Sequence, residues 1–236
     1  MLPCIQLSAK IVSKCSSVSS KIDSIPYIDQ HHNKYPVSAN GIPKICISQL
    51  NMDEIFDMLK SKKTDKTINK YFSIYPQTGL VQIFVPYGED LFDDLDDVEI
   101  VLIKNYDAHN HDVKKEKKLR KLYEKYRNEH GFTFDTDHDF SDGSTIKLVD
   151  AIYGYECDED KSKSKFFDKL KMSDLGDNWI QIGGYPHHLQ DGFDFDENEQ
   201  CILFSLLNGI LGVNIALNKK SRGLSIKKPI VDIAYD

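Results

Sequence analysis

The chain has no apolar run approaching the roughly 18 residues that cross a bilayer as a helix, so a membrane-spanning helix is not expected. It has no Cys-x-x-Cys pair, and its five cysteines (Cys4, Cys15, Cys46, Cys157, Cys201) are odd in number and widely scattered. That usage excludes a disulfide frame or a cysteine zinc site and fits free thiols in a reducing cytosol, so a cytoplasmic location is expected. Arginine is absent from residues 1–21, where a transit peptide would carry it. The alternation of Cys4, Ile5, Leu7, Ala9, Ile11 and Val12 with polar residues reads instead as a half-buried strand. No third glycine stands at dinucleotide spacing, no Lys-Ser or Lys-Thr follows a glycine loop, and no Gly-x-Ser-x-Gly elbow occurs. No residue set here dictates a reaction, and no cofactor or metal is implied.

What is present is a globular composition. The 236 residues are 40% apolar and 28% charged, with 12 Tyr and 12 Phe, enough for a sizeable core. The net charge of −7 is unevenly spread. Glu89 to Glu99 holds seven acids and no base, whereas Asp112 to His130 holds eight bases against four acids. In the second block Leu119, Leu122, Tyr123 and Tyr126 recur at helical spacing, Asp112 caps the start and Gly131 ends it. This predicts an amphipathic helix with a basic outer face. Nucleic-acid binding through Lys117, Lys118 and Lys121 is weighed and disfavoured, because the chain carrying them is acidic.

The chain also resembles itself. Lys21–Tyr27 matches Gln181–His187, Ile45–Asn51 matches Ile202–Asn208, Gly79–Val85 matches Gly209–Ile215, and Val98–Ile100 matches Val231–Ile233. Four elements recur in one order, which argues for an internal duplication. Between strands, Met52–Lys60 reads as a short helix with Asn51 as its cap and Glu54 three residues on, and Lys60–Lys70 as an exposed loop. The expected fold is α+β, internally duplicated, with mostly antiparallel β-sheet halves at 1–108 and 145–236 joined by a helical connector at 109–144, acting as one domain over 1–236.

Several segments carry a family resemblance: Ser20-Lys21-Ile22, Pro26-Tyr27, Tyr35-Pro36, Gly41-Ile42-Pro43, Ser48-Gln49-Leu50-Asn51, Tyr75 to Phe84, and Ile182 to Pro186 followed by Gln190-Asp191. In this order they resemble the YwqG-like family, a domain of unknown function. Asp23 and Ser24 stand where that family places glycines, and the Trp-Gly-Asp-x-Gly motif expected after Asn208 is missing. The resemblance implies an α+β fold with internal duplication and no known reaction.

The candidate ligand-binding residues are Gly183, Gly184, Tyr185, His187, Gln190, Asp191 and Gln49. Gly183-Gly184 shapes a turn or lets a backbone approach a ligand. Adjacent histidines on a strand point to opposite faces, so His187 and His188 do not share one metal without a bend. Asp135 to Gly143 fails as a calcium loop, because Phe140 and Ile146 occupy the positions needing Gly and Glu. The leading reading is a non-catalytic binding or protein-interaction module, with a small molecule or a protein as partner and the cleft between the duplicated halves as its site. The alternative is a hydrolase-like enzyme using His187, His188 and Asp191.

Overall fold

The computed structural model describes residues 2–31, 34–86, 97–130, 144–156, 179–186, 195–207, 211–221 and 223–235. Their contacts divide into two compact units. The first gathers 1–9, 55–77 and 149–236; the second gathers 10–54 and 78–148. Every described strand pairing is antiparallel.

The second unit is built on β2 (Lys21–Ile22), β3 (Ile45–Asn51), β4 (Leu80–Val85) and β5 (Glu99–Ile103), hydrogen-bonded in that order. The start of β6 (Thr145–Glu156) pairs with the other side of β2. Strands β3 and β4 are buried along their whole length, which fits their apolar content. The helix α3 (Val113–His130) packs on this unit through Leu119 and Tyr123, both buried. Asp112 caps it, accepting from the Lys115 amide at 3.0 Å.

The first unit carries β7 (Trp179–Gly183), β8 (Gln200–Leu207), β9 (Leu211–Lys220) and β10 (Gly223–Tyr235), again hydrogen-bonded in order. The amino-terminal strand β1 (Leu2–Val12) lies on the far side of β7 and pairs Cys4 with Gly183 and Gln6 with Gln181. The helix α1 (Met52–Leu59) runs from the end of β3, with Asn51 Oδ1 accepting from the Glu54 amide at 3.1 Å. Glu54 does not complete the reciprocal cap; its Oε2 accepts from the Ser20 amide at 2.6 Å. A helix α2 (Lys66–Phe72) occupies part of the expected 60–70 loop. Asp65 caps it, accepting from the Ile68 amide at 2.9 Å, and Ile68 and Phe72 are buried.

These observations correct the expectation of two sheet halves joined by a helical connector. The protein is predominantly antiparallel sheet with three α-helices among the described residues. A connector would be solvated, but α3 is a packed wall of the second unit. Nor do the compact units follow the two ends of the chain, since the first joins 1–9 and 55–77 to 149–236. Strand pairing is a non-local interaction, and it groups segments by which faces they bury rather than by sequence order.

Each unit nevertheless contains one four-stranded antiparallel meander with the same irregularity. Cys46 pairs with Phe84 and Ser48 with Ile83, leaving Ile47 as an extra residue in β3. Likewise Ile202 pairs with Ala216 and Phe204 with Ile215, leaving Leu203 extra in β8. Such a bulge re-aims the residues that follow it. With the bulges superposed, Gln49 corresponds to Ser205 and Gln82 to Asn214, a register shifted by one or two residues from the one apolar matching suggests. At the bulge in β3, Ser48 lies between Ile22 and Ile83 in register. Its hydroxyl is fully buried and has no hydrogen-bond partner among the described residues. Burying an unsatisfied hydroxyl costs about 1–3 kcal/mol. Ser48→Ala is therefore expected to raise the urea midpoint, by about 1 kcal/mol of stability; a clear loss would show that the hydroxyl has a partner.

Candidate functional site

The register brings buried polar side chains into one row in each unit, because directly paired residues share a face. In the second unit the row is Lys21, Gln49 and Gln82, at 5%, 1% and 3% exposure. Gln49 Oε1 accepts from the Tyr27 amide at 2.7 Å and from Gln82 Nε2 at 2.9 Å. Its Nε2 donates to the carbonyls of Ser17 and Ser19, both at 2.8 Å. Gln82 Nε2 also donates to the Tyr27 carbonyl at 2.8 Å. The two amides thus clamp residues 17–27 onto the sheet. In the first unit the row is Gln6, Gln181, Ser205 and Asn214, all buried. Gln181 Nε2 donates to the Tyr185 carbonyl at 2.8 Å, and Ser205 Oγ donates to Asn214 Oδ1 at 2.6 Å.

The chain held by the first of these clamps forms one side of a pocket of about 150 Å³ in the second unit. Cys15, Ser17, Lys21, Ser24 and Ile25 line it from that side, with Ser144 and Thr145 at the start of β6. His111, Glu116, Arg120, Tyr123 and Glu124 line it from α3 and the turn before it. The Ile28 amide donates to His111 Nδ1 at 3.1 Å, which places the ring proton on Nε2, where it donates to Glu116 Oε2 at 2.7 Å. Glu116 Oε1 accepts from an Arg120 amino nitrogen at 2.8 Å. One carboxylate therefore orients both an imidazole and a guanidinium, and both of its oxygens are engaged.

Behind the pocket runs a buried relay. The Cys46 amide donates to Tyr123 Oη at 2.7 Å, Tyr123 shares a 2.8 Å bond with Tyr35, and Tyr35 donates to the Lys44 carbonyl at 2.9 Å. Burial raises both phenols well above their ordinary range. Burial also pushes the Cys46 thiol up to about 12, so it is a packing residue and not a nucleophile. The hydroxyl of Tyr123 is thus held neutral chiefly by burial, against the opposing effect of the Cys46 amide.

Of the residues expected from sequence, Gly183, Gly184 and Tyr185 follow one another at the end of β7 in the first unit. Gly183 and Gly184 both have positive φ, 75° and 76°. The Gly184 amide donates to the Pro3 carbonyl at 2.9 Å, and Tyr185 Oη donates to Glu197 Oε2 at 2.6 Å. Gln49 belongs to the second unit and is engaged in the clamp. His187, His188, Gln190 and Asp191 lie outside the described residues, as does the Asp135–Gly143 segment. At the position corresponding to Gly183 the second unit has Asp23 with φ of 47°, so the left-handed turn persists where a glycine is replaced.

Sequence reasoning missed His111, Glu116, Arg120 and Cys15. The i, i+4 spacing of Glu116 and Arg120 is a legible pair, but it reads as ordinary helix-surface charge. The partner of His111 is 83 residues away in the chain. No group of three or more potential metal ligands occurs among the described residues, and no helix among them is long and apolar enough to cross a membrane.

A family model described as a domain of unknown function, DUF1963, matches residues 20–214. No curated protein matches the chain.

Proposed function

The chain belongs to the DUF1963 family, and from that premise we propose that it is a non-catalytic binding module whose ligand site is the pocket of the second unit. Within the family we assign it to the YwqG-like members, on the ordered segments from Ser20-Lys21-Ile22 to Ile182–Pro186. The family match runs through segments of both units, which supports treating residues 1–236 as one domain. The five cysteines are widely scattered and include no Cys-x-x-Cys pair, a usage that favours a reducing compartment such as the cytoplasm.

One observation carries the reading. The pocket is lined by hydrogen-bonding groups, yet His111, Glu116 and Tyr123 are already engaged in hydrogen bonds within the protein, and the remaining acid of the lining, Glu124, is exposed. His111 has both nitrogens bonded, Glu116 both oxygens, and Tyr123 its hydroxyl. A general base needs a lone pair free to take a substrate proton; both His111 nitrogens are occupied, the Tyr123 hydroxyl is kept neutral by burial, and the Glu116 carboxylate is engaged on each oxygen in orienting His111 and Arg120. A site of this kind orients a ligand without transforming it.

Native mass spectrometry of the full chain, incubated with a polar metabolite extract, tests this. A bound small molecule is expected, recovered unchanged, and displaced in Cys15→Trp, which fills the pocket from its wall. Retention of the same species by Cys15→Trp, or its conversion to a new product by the wild-type chain, counts against the reading.

A further inference from the structure

The His111 side chain lines the pocket and bonds to two of its neighbours, and one of those bonds requires an unprotonated ring. Its Nδ1 accepts from the Ile28 amide at 3.1 Å, and its Nε2 donates to Glu116 Oε2 at 2.7 Å. An imidazolium carries a proton on each nitrogen and accepts nothing. Protonation at Nδ1 therefore sets two N–H groups against each other at the Ile28 contact, while the bond to Glu116 becomes an ion pair. One side of that contact has to move. The Ile28 segment is fixed by four further bonds. Gln49 Oε1 accepts from the Tyr27 amide, Gln82 Nε2 donates to the Tyr27 carbonyl, the Asp112 amide donates to the Ile28 carbonyl at 2.7 Å, and the Gln30 amide donates to the Asn110 carbonyl at 3.0 Å. Among the described residues the ring has one other hydrogen bond, to Glu116, and a ring contact with Tyr27 at 5.8 Å between centroids. The ring is the part with fewer ties, and the open space beside it is the pocket.

We propose that His111 is a proton-operated gate: the neutral ring is latched against Ile28 and leaves the pocket open, and the protonated ring swings into the pocket on its Glu116 tether and obstructs it. Glu116 holds its place during the exchange because Arg120 grips its other oxygen at 2.8 Å. Other charged groups surround the ring. Asp29 pairs with His111 in an isolated antiparallel bridge and accepts from Tyr27 Oη at 3.0 Å. Asp107, His109 and Asp112 flank it on its own turn, and Lys21 and Glu124 stand elsewhere in the lining. This inference rests on the pocket being the ligand site and adds how that site is regulated.

The test follows the full chain, labelled with nitrogen-15 and without ligand, by NMR between about pH 8 and about pH 5, the interval in which histidine changes charge. The ring nitrogens report protonation, the Ile28 amide reports the latch, and the amides of Ser24 and Thr145 report the pocket lining. As the ring protonates, the Ile28 amide proton is expected to move upfield with the same midpoint, and the Ser24 and Thr145 amides to shift in step. In His111→Asn the amide oxygen replaces Nδ1 as acceptor and does not titrate, so all three shifts should be lost. That variant keeps every other charged group named above, so a response caused by any of them survives in it. Equal shifts in His111→Asn overturn the inference. So does a wild-type ring that stays neutral throughout, or one that protonates while the Ile28 amide holds its position; these two readings need no variant and decide the matter if His111→Asn does not fold. No outcome here bears on whether the pocket binds a ligand, which the mass-spectrometric test decides separately.

Discussion

Gln49→Leu is expected to destabilise the protein by about 3 kcal/mol or more, the largest loss foreseen for a single side chain. Leucine preserves the volume and removes every hydrogen bond. The Tyr27 amide and the carbonyls of Ser17 and Ser19 then lose the partner that Gln49 supplies. Each buried group left unsatisfied costs about 1–3 kcal/mol. Gln82→Leu should cost less, since its amide gives one bond to the Tyr27 carbonyl and one to Gln49, which still holds the segment. Urea titration measures both. The loss should also reach the pocket, because Ser17 lines it and its carbonyl is gripped by Gln49. A change below about 1 kcal/mol for Gln49→Leu would mean that water replaces the amide, and the clamp would not be structural.

Gly183→Ala is expected to cost about 3 kcal/mol, from two separable sources. At φ of 75° an L side chain is disfavoured by about 1–2 kcal/mol. An added Cβ would also lie 2.8 Å from the Pro3 carbonyl oxygen, 3.0 Å from Phe72 Cζ and 3.1 Å from Tyr71 Cε1. The two ring atoms can shift, but the carbonyl belongs to the β1 backbone paired with β7, and overpacking of this kind costs about 1–3 kcal/mol. Gly41→Ala separates the terms. Gly41 has φ of 81° and nothing within 4 Å of an added Cβ, so only the backbone cost of about 1 kcal/mol applies. Equal losses for the two variants would sink the packing argument and return Gly183 to the list of ligand-approach residues.

Much of the local structure is legible in the chain itself. The alternation in Leu2–Val12 forms β1, Asn51 starts α1, and Asp112 followed by Leu119 and Tyr123 forms α3. These features depend on neighbours within a few residues. The helix α2 was legible in principle through Asp65, Ile68 and Phe72, but the surrounding lysines make the segment read as a loop. Less of the candidate site was legible. Gln49 stands out in a family-like segment, yet its role as a clamp follows from four partners 22 to 33 residues away. Lys21 and Lys147 become neighbours only through the pairing of β2 with β6.

By itself the sequence determined the antiparallel character of the sheet, the order of the four recurring strand segments and the capped amphipathic helix, because periodicity and capping act over a few residues. Tertiary structure alone decided the rest. It set the register of each meander through a bulge that apolar matching does not reveal. It drew the first compact unit from both ends of the chain, made α3 a pocket wall rather than a connector, and joined His111 to Ile28 and Glu116. The physical reason is that strand register and buried hydrogen bonds are satisfied by partners distant in sequence, chosen by what each face must bury.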